Sequence, residues 1–197
     1  MVTGSRLFFF ALLAAWGLER LLEVALSRRN ARRVLARGGV EVESRAFYSA
    51  MVAVHGLLFF AAPLEVVALE RPFRPLLAAA ATAAVGAAMA LRYWAVATLG
   101  ERWNTRVIVV PGEPAVAGGP YRWLRHPNYL AVVIEMAALP LVHGAWITAL
   151  AWSAASALLL ALRIPREEAA LARFSDYEAR LGDRPRLLPG RRRGGLR

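Results

Sequence analysis

GGPYRWLRHPNYLAVVIEMAALPLV, residues 118–142, sets glycines, prolines, arginines, tyrosines and one histidine directly before an apolar run that carries a single glutamate. Residues 118–120 make a turn, Pro127 suits the first position of a helix, and Tyr121 and Tyr129 suit a water–lipid interface. Those roles leave His126 unexplained, and it falls at a helix N-terminus, where anionic groups are favoured. Glu135 lies seven positions after Asn128, about two turns down the helix. An ionisable residue at that depth is costly and, by default, functional. Its structural alternative is a buried pair with an arginine such as Arg92.

The surrounding chain decides what kind of helix this is. Over 197 residues the sequence is 58% hydrophobic, with a mean hydropathy of +0.41, too apolar for a soluble domain with an ordinary core. Five segments read as membrane helices: 7–26, 46–69, 75–99, 128–142 and 145–162, the last two forming a tight hairpin around His143 and Gly144. The early run FFFALLAAWG, residues 8–17, reads as an uncleaved first helix, because no small-residue cleavage site follows it. The expected fold is therefore all-α: a polytopic membrane protein of about five transmembrane helices. Residues 1–99 read as anchor and wall. Residues 100–188 carry the polar detail and read as a cytoplasmic loop, a helical hairpin and an amphipathic surface helix, and residues 189–197 as a basic disordered tail.

All 25 basic residues are arginine, and the net charge is +11. Twenty of them follow the first, third and fifth apolar segments, which share one membrane face. The positive-inside bias then puts the N-terminus outside an inner membrane and the C-terminus in the cytoplasm. The same placement accounts for the charge through topology and anionic headgroups, so no nucleic-acid partner is expected. With no cysteine there is no thiolate metal site, and no metal is expected.

A second polar cluster, RIPREEAAL at residues 163–171, follows the fifth apolar segment. Arg163 and Glu167 are spaced i, i+4 and could be a plain helical ion pair. Topology, however, brings them to the membrane face that carries His126, and the hairpin makes the two helices neighbours. His55, Glu65 and His143 are weaker candidates: a histidine between helices, a carboxylate near the outer surface, and a hairpin tip on the opposite face.

GPYRWLRHPNYL, an intramembrane Glu135 and RIPREEAAL, in that order, resemble the C-terminal half of the isoprenylcysteine carboxyl methyltransferase family of integral-membrane, S-adenosylmethionine-dependent enzymes. The resemblance spans residues 103–188 and implies that residues 100–188 are the catalytic region, with a cytoplasmic cofactor pocket formed by the C-terminal helices and loop. It implies that Tyr121, His126, Pro127, Asn128, Tyr129 and Glu167 bind the cofactor S-adenosyl-L-methionine, and that Arg163 lies on the substrate side. The element WNTRVIVVPG, residues 103–112, resembles more closely a bacterial branch that O-methylates long-chain alkylresorcinols or alkylpyrones, and it implies Trp103 and Asn104 as further substrate contacts. The implied activity is methyl transfer to a phenolic or enolic hydroxyl on a lipid-tailed ring, with membrane lipids as surroundings. Arg163 and Glu135 are the catalytic candidates, with His126 a further possible base. Prenylcysteine carboxyl methylation is the alternative. An NADPH-dependent reductase resembling the sterol reductases, which share an RHPNY-like element, and a non-enzymatic scaffold stand further off.

Overall fold

The computed structural model describes residues 2–188. Its elements are α1 (Val2–Ala36), β1 (Val40–Glu41), α2 (Arg45–Ala68), α3 (Pro75–Leu99), β2 (Ile108–Val109), α4 (Pro127–Leu141), α5 (Trp146–Phe174) and α6 (Tyr177–Leu181). The protein is an all-α, polytopic membrane protein. Three of its helices are long and apolar enough to cross a bilayer: α2, α3 with the 3-10 turn that follows it, and α5. α1 has the length but carries Glu19, Arg20 and Glu23 in mid-course. α4 is apolar but only 15 residues long, about 22 Å at helical rise.

Local chemistry sets the helix starts. The Ser44 side chain accepts a hydrogen bond from the Phe47 amide and caps α2, while Pro75 and Pro127 occupy first-turn positions of α3 and α4, where the missing N–H costs nothing. Along α3 the buried positions Ala78, Ala81, Val85, Ala88, Arg92 and Ala95 recur at steps of three and four. That small-residue face lets α4 approach closely, which matters in lipid because no hydrophobic drive operates between helices there. α3 packs along α4, α4 along α5, and α5 against α2. Phe9, Leu13 and Trp16 of α1 close the core against Leu58, Ala62 and Val66 of α2 and Met136 and Leu139 of α4.

Three departures from the sequence reading bear on the site. α1 runs ten residues beyond the expected 26, to Ala36, so the arginines at 28–33 stand on a helix. β1 pairs antiparallel with β2, Val40 opposite Val109 and Glu41 opposite Ile108, which ties the first loop to the loop between α3 and α4. The amphipathic stretch from Glu167, expected as a separate surface helix, is instead continuous with α5 through Pro165 to Phe174. Its Ile164, Glu168 and Ala170 are buried, so packing against the loop, rather than lipid, takes up its apolar side. The basic tail expected at 189–197 lies outside the described residues.

At the opposite end the α4–α5 hairpin turns at Gly144, whose φ of +69° a side chain would oppose. Glu65 of α2 reaches across to the start of α5. It accepts from the amides of Ile147 (3.1 Å) and Thr148 (2.7 Å) and from the Thr148 hydroxyl (2.7 Å), and it holds Arg71 at 2.8 Å. It therefore supplies the cap that Ala145 cannot. Glu65→Ala should cost about 2 kcal/mol by stranding those donors, read as a lower thermal unfolding midpoint in detergent with the site's ligand binding retained.

Candidate functional site

The loop before α4 is held by backbone rather than by side chains alone. Gly119, at φ +52°, lies so close to Thr98 that a Cβ would collide with it, and the chain then makes a 3-10 turn over Gly119–Arg122. The amides of Arg125 and His126 donate to the carbonyls of Pro185 (2.9 Å) and Arg186 (3.0 Å). The Arg125 side chain donates to the Arg184 carbonyl at 2.8 Å and also to that of Gly182. The segment after α6 is thus laced across the start of α4.

From there α4 meets α5 through two consecutive glutamates that do different work. His126, buried, bonds through Nε2 to Glu168 at 3.1 Å, and Arg186 closes on the same carboxylate at 2.6 Å. One turn on, the Tyr129 hydroxyl donates to Glu167. The His126 and Tyr129 rings stack with centroids 5.2 Å apart, and the Arg163 guanidinium lies 5.6 Å from the Tyr129 ring. Arg163 itself is buried. It donates through Nη2 to the Thr105 carbonyl at 2.6 Å and faces Glu43 at 3.3 Å and Glu167 at 3.9 Å.

These side chains open on one cavity of about 800 Å³. Toward the loop and α4–α5 it is lined by Tyr121, Arg125, His126, Asn128, Tyr129, Arg163, Glu167 and Tyr177; toward α1 and α2 the lining is mainly apolar, at Leu18, Leu21, Val24, Val52 and Phe59, interrupted by Arg20, Glu23 and His55. Burial, with the Glu167 charge nearby, pushes the Tyr121 hydroxyl above its ordinary value, so it stays a neutral donor. Trp103 and Asn104 line the same cavity. Trp103 is buried, and the Oδ1 of Asn104 has no hydrogen-bond partner among the described residues. Pro127 starts α4 behind this wall.

Glu135 goes elsewhere. It is fully buried and held by Arg92, at 3.2 Å from Nε and 2.8 Å from Nη2, with Arg20 at 3.7 Å. It does not line the cavity, whereas Arg92, Arg20 and Glu23 do. Arg92 also donates to Asn128 at 3.2 Å and lies 3.5 Å from Glu23. The arrangement is the buried arginine pair weighed above, enlarged by two charges from α1. His55 lines the cavity and bonds back to the Met51 carbonyl; His143 lies at the hairpin end, 3.2 Å from Ser5. Glu43, Arg20 and Glu23 were not singled out from sequence; Glu168 was read within the polar cluster after the fifth apolar segment, but without its bond to His126. Their partners lie at separations such as 42, 120, 115 and 69 positions, where no local spacing rule operates. Among the described residues no cluster of acids and histidines could hold a metal ion.

Removing one partner of a desolvated pair leaves the other charge stranded, at about 3–5 kcal/mol. Glu135→Ala should therefore lower the thermal midpoint markedly. Adding Arg92→Met should recover part of the loss, and a double-mutant cycle on detergent-solubilised protein reads the coupling.

Two kinds of similarity accompany this geometry. The profile of the isoprenylcysteine carboxyl methyltransferase (ICMT) family matches residues 80–173, which span α3, the loop, α4 and nearly all of α5. The chain is 35% identical over 168 residues to the uncharacterized protein YpbQ of Bacillus subtilis, covering 85% of this chain and 98% of that one. It is 27% identical over 159 residues to an uncharacterized protein of Haemophilus influenzae, covering 78% of this chain and 88% of the relative.

Proposed function

The chain belongs to the isoprenylcysteine carboxyl methyltransferase family of integral-membrane methyltransferases, and we propose that it uses S-adenosyl-L-methionine to O-methylate a hydroxyl on a lipid-tailed ring, an alkylresorcinol or alkylpyrone. The observation that carries this reading is the single cavity with a polar end beside Tyr129, Arg163 and Glu167 and a mainly apolar end toward α1 and α2. A water-borne cofactor and a lipid-borne acceptor can meet in such a space without either crossing the other's phase.

The polar end fits the cofactor by its donor set. A sulfonium cation favours aromatic faces and a carboxylate, which Tyr121, the stacked His126–Tyr129 pair and Glu167 provide. In this reading Tyr121, His126, Asn128, Tyr129 and Glu167 hold S-adenosyl-L-methionine, with Pro127 fixing the start of α4 that carries them. The cofactor supplies an electrophilic methyl group. The chain's own contribution is orientation and exclusion of water, the chief sources of rate in an in-line displacement. Arg163 orients the acceptor oxygen, the unpartnered Oδ1 of Asn104 accepts from its hydroxyl beside the Trp103 wall, and His126, which lines the same cavity, takes the hydroxyl proton as the methyl group is transferred. Glu135 acts at one remove, by fixing Arg92 and through it Asn128. The arginine distribution supports a cytoplasmic polar end and C-terminus, with the N-terminus outside.

Membranes containing the protein, methyl-labelled S-adenosyl-L-methionine and an alkylresorcinol should yield a labelled lipid that keeps its label in base, as an aryl ether does. Label released as methanol when a prenylated cysteine is the acceptor, with none on the resorcinol, would overturn the hydroxyl reading in favour of a carboxyl ester. Stabilisation by NADPH rather than by S-adenosylhomocysteine would overturn the methyltransferase reading itself. Glu167→Gln should weaken S-adenosylhomocysteine binding by ~10-fold with the fold retained, measured by calorimetry. Arg163→Ala should leave that affinity nearly unchanged and depress kcat/KM for the acceptor by ~100-fold.

A further inference from the structure

Arg163 is not a free cation. Its Nη1 meets Glu43 Oε1 at 3.3 Å and the Met51 sulfur, and its Nη2 donates to the Thr105 carbonyl. Glu167 lies 3.9 Å from Nε, which has no hydrogen-bond partner among the described residues. Two carboxylates thus attend one guanidinium. Glu43 is as buried as the arginine, each side chain 5% exposed, and its Oε2 meets no donor at hydrogen-bonding geometry among the described residues. Glu43 lines a second pocket of about 320 Å³ with Phe47 and Arg166; Arg163, Glu167 and Val107 line both pockets and so form the partition between them.

Binding a carboxylate well takes a guanidinium with a paired edge to offer and net positive charge to spare. Here two carboxylates outweigh the single cation and one edge is occupied. A single unpartnered N–H at Nε suits one oxygen without charge. Resting on the reading of Arg163 as the acceptor-side residue, we infer that Glu43 is a positioning and specificity-determining residue: from behind Arg163 it cancels the guanidinium's charge and fixes its orientation, so that the site takes an uncharged hydroxyl acceptor and turns away a carboxylate.

The energetic sign agrees with a functional role. Burial pushes the Glu43 carboxyl above its ordinary value despite the pull of Arg163. A carboxyl whose folded value is raised carries its charge only at a cost to stability, and that cost vanishes as pH falls below the unfolded value. The ionised group therefore does not serve the fold, and Glu43→Gln should retain it.

The test compares binding of two unreactive probes of equal chain length, an alkylbenzoate and an alkylphenol methyl ether, by displacement of a fluorescent lipid from purified protein without cofactor. Wild type should prefer the ether. Glu43→Gln should shift the ratio toward the benzoate by ~10-fold, and Glu43→Asp should keep the wild-type preference. An unchanged ratio in Glu43→Gln, with a wild-type thermal midpoint, overturns the role of Glu43. Methyl transfer to alkylresorcinol and to a prenylated cysteine, followed in the same three proteins, separates the two ideas. Absence of transfer to the resorcinol in wild type removes the proposed acceptor, while the binding ratio still decides Glu43. Should Glu43→Gln fail to fold, the Asp variant carries the decision, since a carboxylate preference there would also overturn the assignment.

Discussion

Arg92 is a permanent cation buried at the middle of a membrane protein, and the positions of the other helices follow from satisfying it. A charge in that setting is tolerated only when it is paired and hydrogen-bonded. Glu135 on α4 supplies the pairing, Asn128 on α4 and Glu23 on α1 complete it, and Arg20 balances the surplus of acid. One side chain on α3 thereby fixes the rotation of α4 about its own axis. Because His126 and Tyr129 stand on the same helix as Asn128, that rotation also aims the stacked pair at Glu167 and Glu168 on α5. Alanine-rich packing between α3 and α4 allows close approach but does not by itself choose a register; the ionic pair does.

Much of this was legible before any coordinates. The apolar segments that became α2, α3 and α5, the hairpin at Gly144, and the Pro127 start of α4 follow from length, hydropathy and residue chemistry. So did the pairing of Glu135 with Arg92 as the structural alternative, because a buried acid must find a cation and few cations were in reach. The extent of α5 was not legible. Pro165 and the charged residues after it read as the end of a span, yet the helix runs on through the proline, the lost backbone bond being offset by the packing of Glu168 and Ala170 in the next turns. Glu43 was invisible as well, since EVES at 41–44 looks like a connection and its significance comes from a partner 120 positions away.

The two halves of the chain divide the site differently from the division read in the sequence. α3, α4, α5 and the loop between α3 and α4 carry the aromatic and acidic residues, but the cavity is closed by α1 and α2, and both Glu23 and Glu43 stand outside the segment that matches the family profile. The β1–β2 pairing gives the reason in structural terms: it ties the chain around Glu43 to the strand that precedes the polar loop, so the N-terminal half reaches Arg163.

α4 is the shortest of the apolar helices, 15 residues against 24, 25 and 29 for α2, α3 and α5. At about 22 Å it falls short of a hydrocarbon layer of about 30 Å. With its far end fixed at the hairpin, its near end stops inside the depth that its neighbours traverse, and the glycine-bearing loop fills the difference. A helix that short lets the aqueous boundary be drawn inward beside it, as a dimple in the low-dielectric slab. An amphiphile whose tail remains among acyl chains could present its polar head there without being extracted from the leaflet, sparing the hydrophobic work of lifting each methylene into water.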